Sequence, residues 1–344
     1  MTRLRSRMIR TCAVLIMVAA PLMLVEAAVE VLLANAQILK SMPNFVEKAL
    51  VRLYLHRDRI QIGMHPECSR FSEDLLYTLR PGRCEFKNRE YDTPYRINSQ
   101  GLRDSEDALK APEVIFLGDS FTMGWGVHQD EAFPQVVAAL SGLRTLNTGI
   151  ASYGTARESM MLAKLDQSNL KAVVIQYTDN DYGENRFFTE TGGLRKSTRE
   201  RFQRLSEKGQ RNARYFPFKY SYYIFRESLR LLKSPGENPP LEDEITALLA
   251  VLKKVVETAP GVPVVVFTVR VPLDVYRRFN GLLQKRLGRD PALEGRVAVA
   301  NIAHDFTPNK GFILDGHWRA PYHRTIAKRL ADFLKERSIT GTVW

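Results

Sequence analysis

Three short runs constrain the fold more than anything else in the chain. They are Val114-Ile115-Phe116-Leu117, Ala172-Val173-Val174-Ile175-Gln176 and Val264-Val265-Val266-Phe267-Thr268-Val269. None alternates between polar and apolar residues. A strand with one wet face alternates, whereas a strand covered on both faces does not, and the second pattern belongs to parallel sheets flanked by helices. Residues 133–140, 157–165, 241–256 and 321–334 read as helices. In 241–256 one face gathers Leu241, Ile245, Leu248, Leu249, Leu252 and Val256, and in 321–334 another gathers Ile326, Leu330, Phe333 and Leu334. Residues 144–146 and 297–300 are two further strand candidates. Alternating strands and helices predict a three-layer α/β/α domain with a mostly parallel sheet. The 344 residues suffice to bury its core.

The N-terminus sets the expected compartment. Arg3, Arg5, Arg7 and Arg10 precede an apolar stretch at 11–25 that continues through Glu26 and Glu30 to Ala34. Basic residues before a first apolar helix hold that end in the cytoplasm. Ala34-Asn35-Ala36 has the small-residue form of a signal-peptidase site. The run 11–34 nevertheless exceeds the roughly 7–15 residues of a signal-peptide core and reaches the ~20 that span a bilayer. The expectation is therefore an uncleaved transmembrane signal-anchor at 1–36. The two glutamates would sit at the outer interface, where charge costs little. The rest of the chain would lie in the periplasm or outside the cell. The net charge of +12 falls mostly on that exported body. Such a balance suits an anionic neighbour, a membrane face or an acidic glycan, or simply a solvated surface.

Residues 37–110 read as a helical stalk, 37–60, followed by a small β-rich lead-in. Turn signals at Pro66, Pro81-Gly82, Pro94 and 98–101 separate short strands around Tyr77 and Tyr95. Cys68 and Cys84 stand 16 apart in this stretch, and an oxidising compartment would close them into a disulfide. The main domain is expected over 111–338. An insertion at about 186–240 interrupts its rhythm. It is rich in Arg and Lys from Arg195 to Lys219 and carries the aromatics Tyr215, Phe216, Phe218, Tyr220, Tyr222, Tyr223 and Phe225. Basic residues interleaved with aromatics can bind single-stranded nucleic acid. In an exported protein no nucleic-acid partner is expected, and a cover for the site or a membrane-facing surface fits better.

Four ordered fragments carry the chemistry: Gly118-Asp119-Ser120, the stretch from Asn147 to Gly154, Asn180-Asp181, and Asp315-Gly316-His317. Each follows a predicted strand, and ligands of open α/β sheets bind at the carboxyl ends of strands. A serine hydroxyl is a weak nucleophile and needs a base. An imidazole has the right pKa, and a carboxylate fixes its tautomer. Taken alone, Ser120 reads as a helix N-cap, Asn180 as turn chemistry and His317 as a loop residue. Asp119 reads as a structural acceptor in its turn. His323 reads as a surface or core residue of the last helix, and the pair His304-Asp305 lies outside the four fragments. No His/Cys/Asp/Glu cluster has metal-ligand spacing, and Gly124 and Gly126 make no phosphate loop. No cofactor is expected, and the oligomeric state is open.

Together the fragments resemble the four blocks of the SGNH, or GDSL, hydrolases, over roughly residues 111–337. The stretch from Phe116 to Val127 resembles the first block, Asn147 to Gly154 the second, Thr178 to Asp181 the third and Asp315 to His323 the last. The resemblance implies Ser120 as nucleophile, His317 as base and Asp315 as its orienter. It implies an oxyanion hole from the Ser120 N–H, an N–H of the second block and the Asn180 amide. Where the family usually has glycine this chain has Ser152, which keeps the N–H but tolerates a positive φ less well. Gly149 and Gly154 are the alternative donors. One residue separates Asp315 from His317, where many members have two. The implied activity is a membrane-anchored serine esterase acting on O-acyl groups of a glycan or lipid. The alternatives are an O-acyltransferase acting on a cell-surface polysaccharide, since the His317-Trp318 pairing is similar to that branch, and a non-catalytic tethered scaffold.

Overall fold

The computed structural model describes residues 2–230 and 239–337; residues 231–238 of the expected insertion and the final residues 338–344 lie outside them. The chain forms two compact units. One comprises the described residues of Met1–Ile60, Gln210–Glu237 and Ile313–Asp315, the other those of Gln61–Gly209, Asn238–Phe312 and Gly316–Trp344.

The larger unit opens with two antiparallel hairpins, β1 (Ser69–Ser72) with β2 (Leu76–Leu79), and β3 (Gly82–Asn88) with β4 (Tyr91–Ile97). A disulfide between Cys68 and Cys84, with Cα atoms 5.2 Å apart, ties the first hairpin to the second. A cross-link over a loop of that length restricts the unfolded chain by about 3 kcal/mol.

Five parallel strands follow: β5 (Val114–Leu117), β6 (Thr145–Asn147), β7 (Ala172–Thr178), β8 (Val264–Val269) and β9 (Val297–Val299), in the order β6-β5-β7-β8-β9. Every residue of β5, β7 and β8 is buried, as their unbroken apolar runs require. Phe133 and Val137 of one helix and Trp318, Tyr322, Ile326 and Leu330 near the C-terminus pack with Phe116 and Phe267 in one core cluster. The helix Leu241–Thr258 buries Ile245, Leu248, Leu252 and Val256, the face expected of it. A helix over Leu273–Leu287, absent from the sequence reading, joins β8 to β9.

In the smaller unit the first helix covers Thr2–Ala34, and its segment Arg7–Ala34 is long and apolar enough to cross a membrane. Its first half exposes Met8, Ile9, Val14, Leu15, Ile16, Met17 and Val18, whereas Val29 and Leu33 are buried. The stalk is not one helix. It breaks into Ala36–Lys40 and Asn44–Arg57, because Pro43 favours extended backbone before it and starts a new helix after it. The helix Lys219–Arg230 adds Tyr220 and Tyr223 to the same core as Val29, Leu33, Leu50, Leu53 and Leu314. Buried Lys219 is paired with Asp58 at 2.8 Å. Glu26 does not face water as the sequence suggested. Its carboxylate is buried and accepts the backbone N–H of Tyr220 at 3.2 Å and of Ser221 at 2.7 Å, while the Tyr220 hydroxyl donates to Glu30 at 2.7 Å.

Candidate functional site

The site grows from the carboxyl end of β5. Gly118 follows the strand, and a Cβ there would overlap Thr122 Oγ1 and stand 2.8 Å from Gln176 Oε1, so only glycine fits. The chain then enters a single helical turn, Ser120–Met123. Its N-cap is Asp119, not Ser120: Asp119 Oδ1 accepts the Phe121 N–H at 2.9 Å. That leaves the serine hydroxyl free of capping. Ser120 Oγ lies 2.7 Å from His317 Nε2. The imidazole is held between two rings, stacked on Trp125 at 4.9 Å and tilted against Phe121 at 5.0 Å.

The second fragment runs beside this turn. Thr148 N–H donates to Phe116 O at 3.0 Å and Ile150 N–H to Gly118 O at 3.2 Å. Asn147 reaches back with its amide to Thr122 O at 2.9 Å, and a Cβ on Gly149 would collide with the backbone of Met123. The Gly149 N–H is committed to Asn147 Oδ1 at 3.0 Å and the Gly154 N–H to Glu184 Oε1 at 3.2 Å. Among the described residues the N–H groups of Ser120 and Ser152 donate to no protein acceptor. Ser152 is exposed and has φ +61°, so a serine occupies the left-handed conformation that glycine would take more cheaply.

Its neighbours fix it there. The Tyr77 hydroxyl donates to Ala151 O, and the Tyr153 hydroxyl donates to Tyr77 O, a reciprocal clasp on either side of Ser152. The lead-in hairpin thus shapes a loop of the main sheet. Replacing Ser152 by glycine is expected to stabilise the protein by up to about 1 kcal/mol, because the left-handed strain is removed and the N–H kept. Chemical denaturation of the two proteins measures this.

Asn180 follows β7 in the turn Asp179–Asp181. Thr178 Oγ1 donates to Asn180 Oδ1 and also to Asp119 Oδ2, the latter at 3.3 Å, so the third fragment is tied to the first through one hydroxyl. With its oxygen engaged, the exposed Asn180 side chain donates through its amide, and one of its partners is the Asp119 carboxylate. Asp119 is buried, and desolvation raises its pKa, opposed by the Phe121 N–H, His317, Asn180 and Thr178. Behind it lie two more buried acids. Desolvation, added to by the neighbouring carboxylates, pushes Glu158 and Asp181 well above the usual carboxylate range.

Asp315 falls in the smaller unit, where its buried carboxylate accepts Arg59 Nη1 at 2.8 Å. His323 is part of the core. Its Nδ1 accepts the Phe133 N–H at 3.2 Å, and burial pushes its pKa down to about 3. Asp305 belongs to a separate cluster with Lys310, Arg329 and Tyr322. Among the described residues no group of three or more His, Cys, Asp or Glu is placed to hold a metal ion.

No family model and no curated protein matches this chain. Among solved structures, a family two carbohydrate esterase from Clostridium thermocellum, in complex with cellohexaose, is similar at 12% identity and a TM-score of 0.42, with 66% of this chain and 65% of that one covered. A putative lipolytic protein of the G-D-S-L family from Desulfitobacterium hafniense DCB-2 is similar at 11% identity and a TM-score of 0.37, covering 64% and 97%. A family 3 carbohydrate esterase of Clostridium thermocellum is similar at 12% and 0.41, covering 66% and 97%. This chain therefore spans just under two thirds of the length of the first of these.

Proposed function

We propose that the chain is a membrane-anchored serine esterase of the SGNH type, with Ser120 as nucleophile and His317 as base. The observation that carries this reading is the 2.7 Å contact between Ser120 Oγ and His317 Nε2 at the carboxyl edge of a parallel sheet. In the proposed reaction Ser120 Oγ attacks an ester carbonyl while His317 Nε2 takes its proton. The carbonyl oxygen, now negative, is met by the N–H groups of Ser120 and Ser152 and by the Asn180 amide. Collapse expels the alcohol, which leaves with the proton from His317, and an acyl-Ser120 ester remains. Water deprotonated by His317 then attacks that ester and releases the acid. Asp315, two residues from His317 in sequence, is proposed as the orienting carboxylate. The acyl group would be carried by a glycan or lipid outside the cytoplasm, with the exposed apolar half of the first helix as the anchor.

The test uses the full chain in detergent. A fluorophosphonate probe should label the protein at one residue, Ser120, and a short-chain aryl ester should be hydrolysed. The Ser120→Ala protein should do neither, with unfolding unchanged. Folded wild-type protein that neither reacts with the probe nor hydrolyses the ester would sink the assignment.

A further inference from the structure

The helix Tyr182–Thr191 starts directly after the Asp179–Asp181 turn and, with the segment after it, walls a cavity of about 360 Å³. Arg157, Arg195 and Arg201 line it, with Glu184, Ser197 and Phe187. Three guanidinium groups therefore face one carboxylate. Arg157 and Glu184 are already paired, and Arg157 also stacks over Tyr153 at 4.7 Å. Arg195 and Arg201 have no carboxylate partner among the described residues; Arg195 lies over the Phe187 ring at 4.8 Å. Ser197 is 6% exposed, and its Oγ makes no hydrogen bond among the described residues. A buried hydroxyl left without a partner has given up its bonds to water, and an arriving ligand would restore one.

The cavity is coupled to the reacting loop. Glu184 Oε1 accepts the N–H groups of Gly154 and Arg157, each at 3.2 Å, two and five residues after Ser152. We propose that this cavity binds the carboxylate-bearing sugar of an acidic polysaccharide and so selects uronate-containing chains as the esterase substrate. The planar forks of Arg195 and Arg201 match a carboxylate in two-point geometry. Phe187 gives a sugar ring an apolar face, which a bare phosphate would not use, and Ser197 gives a hydroxyl partner. The volume lies in the range of small-ligand sites, and the net charge of +12 favours the approach of a polyanion. As a statement about substrate, the inference rests on the proposed esterase reading; as a statement about binding, it does not.

The experiment separates the two. Full-chain Ser120→Ala protein in detergent is titrated calorimetrically with a galacturonate hexamer, a neutral glucan hexamer and glycerol phosphate. The galacturonate should bind, and raised salt should weaken it. The double variant Arg195→Ser/Arg201→Ser should lose tenfold or more in affinity, and Ser197→Ala several-fold, with thermal unfolding unchanged. Equal binding of the neutral hexamer, unaltered affinity in the folded double variant, or preference for glycerol phosphate would each overturn the proposal. With Ser120 intact, an acetylated uronate oligomer should show a lower KM than its neutral counterpart at similar kcat. Uronate binding in a protein inert toward every ester would keep the cavity's assignment and remove only the esterase.

Discussion

Replacing His317 by alanine is expected to lower kcat/KM for an activated aryl ester by about 10³-fold while leaving the protein folded. General-base removal typically costs ~10²–10⁴, and here no substitute base is at hand among the described residues. His323 donates nothing to the site, being buried with its Nδ1 occupied by the Phe133 N–H and its pKa down at about 3. Asp119 is spent on capping the turn that presents Ser120. The variant also removes a ring stacked on Trp125, so thermal unfolding must be followed beside initial rates. Labelling by a fluorophosphonate should slow in parallel, since the same proton has to leave Oγ. Rates within threefold of wild type, in folded protein, would show that His317 does not serve Ser120.

Arg103→Met should have the largest effect on stability, a loss of about 3 kcal/mol or more. The guanidinium is fully buried and makes no salt bridge among the described residues. It donates to the carbonyls of Met123 at 2.9 Å, Gly124 at 2.5 Å and Val127 at 2.7 Å, and it lies over the Tyr95 ring at 3.6 Å. Burial lowers its pKa, opposed by Tyr95, Asp130 and Asp104. Methionine would fill the volume and leave the Met123 and Val127 carbonyls without this donor, each at a cost of about 1–3 kcal/mol when buried, while Gly124 O would keep the Val127 N–H at 3.3 Å. Lysine should not rescue, because one ammonium cannot reproduce the planar fork. The bound segment contains Trp125, which stacks on His317, so activity should fall together with stability. Equilibrium denaturation of the detergent-solubilised protein measures the loss, and a change under about 1 kcal/mol would show that other contacts hold this segment.

Arg103 also shows where the sequence stops being legible. An arginine between Leu102 and Asp104 looks like any basic loop residue. Its partners lie 20 to 24 positions away, and no local pattern announces a bond of that range. The sheet was readable because burial on both faces writes itself into consecutive residues. Runs 114–117 and 264–269 coincide with β5 and β8, and 172–176 falls two residues short of β7, because the apolar run is already broken at Gln176 before Tyr177 and Thr178. The helix Leu273–Leu287 is hard to read because its apolar positions, such as Tyr276, Phe279 and Leu283, are diluted by four Arg and Lys residues and by the Asn280 buried among them. Taken alone, Ser120 is as good an N-cap as Asp119, and only the hydrogen bond from the Phe121 N–H to Asp119 decides between them. The positive φ of Ser152 was foreseeable from the glycine it replaces. The clasp by Tyr77 and Tyr153 that sustains it was not.

The capture of Glu26 by the start of the helix Lys219–Arg230 bears on how such a chain matures. A peptidase acting at Ala34-Asn35-Ala36 would remove the carboxylate that accepts the N–H groups of Tyr220 and Ser221, and with it Val29 and Leu33 from the core they share with Tyr220 and Leu314. The released product would carry two orphaned buried donors and a groove in its place. The first helix is thus part of the core of the smaller unit, and it holds a segment 194 positions further along the chain. The helix Lys219–Arg230 would then find its docking surface only in a chain that keeps the first helix.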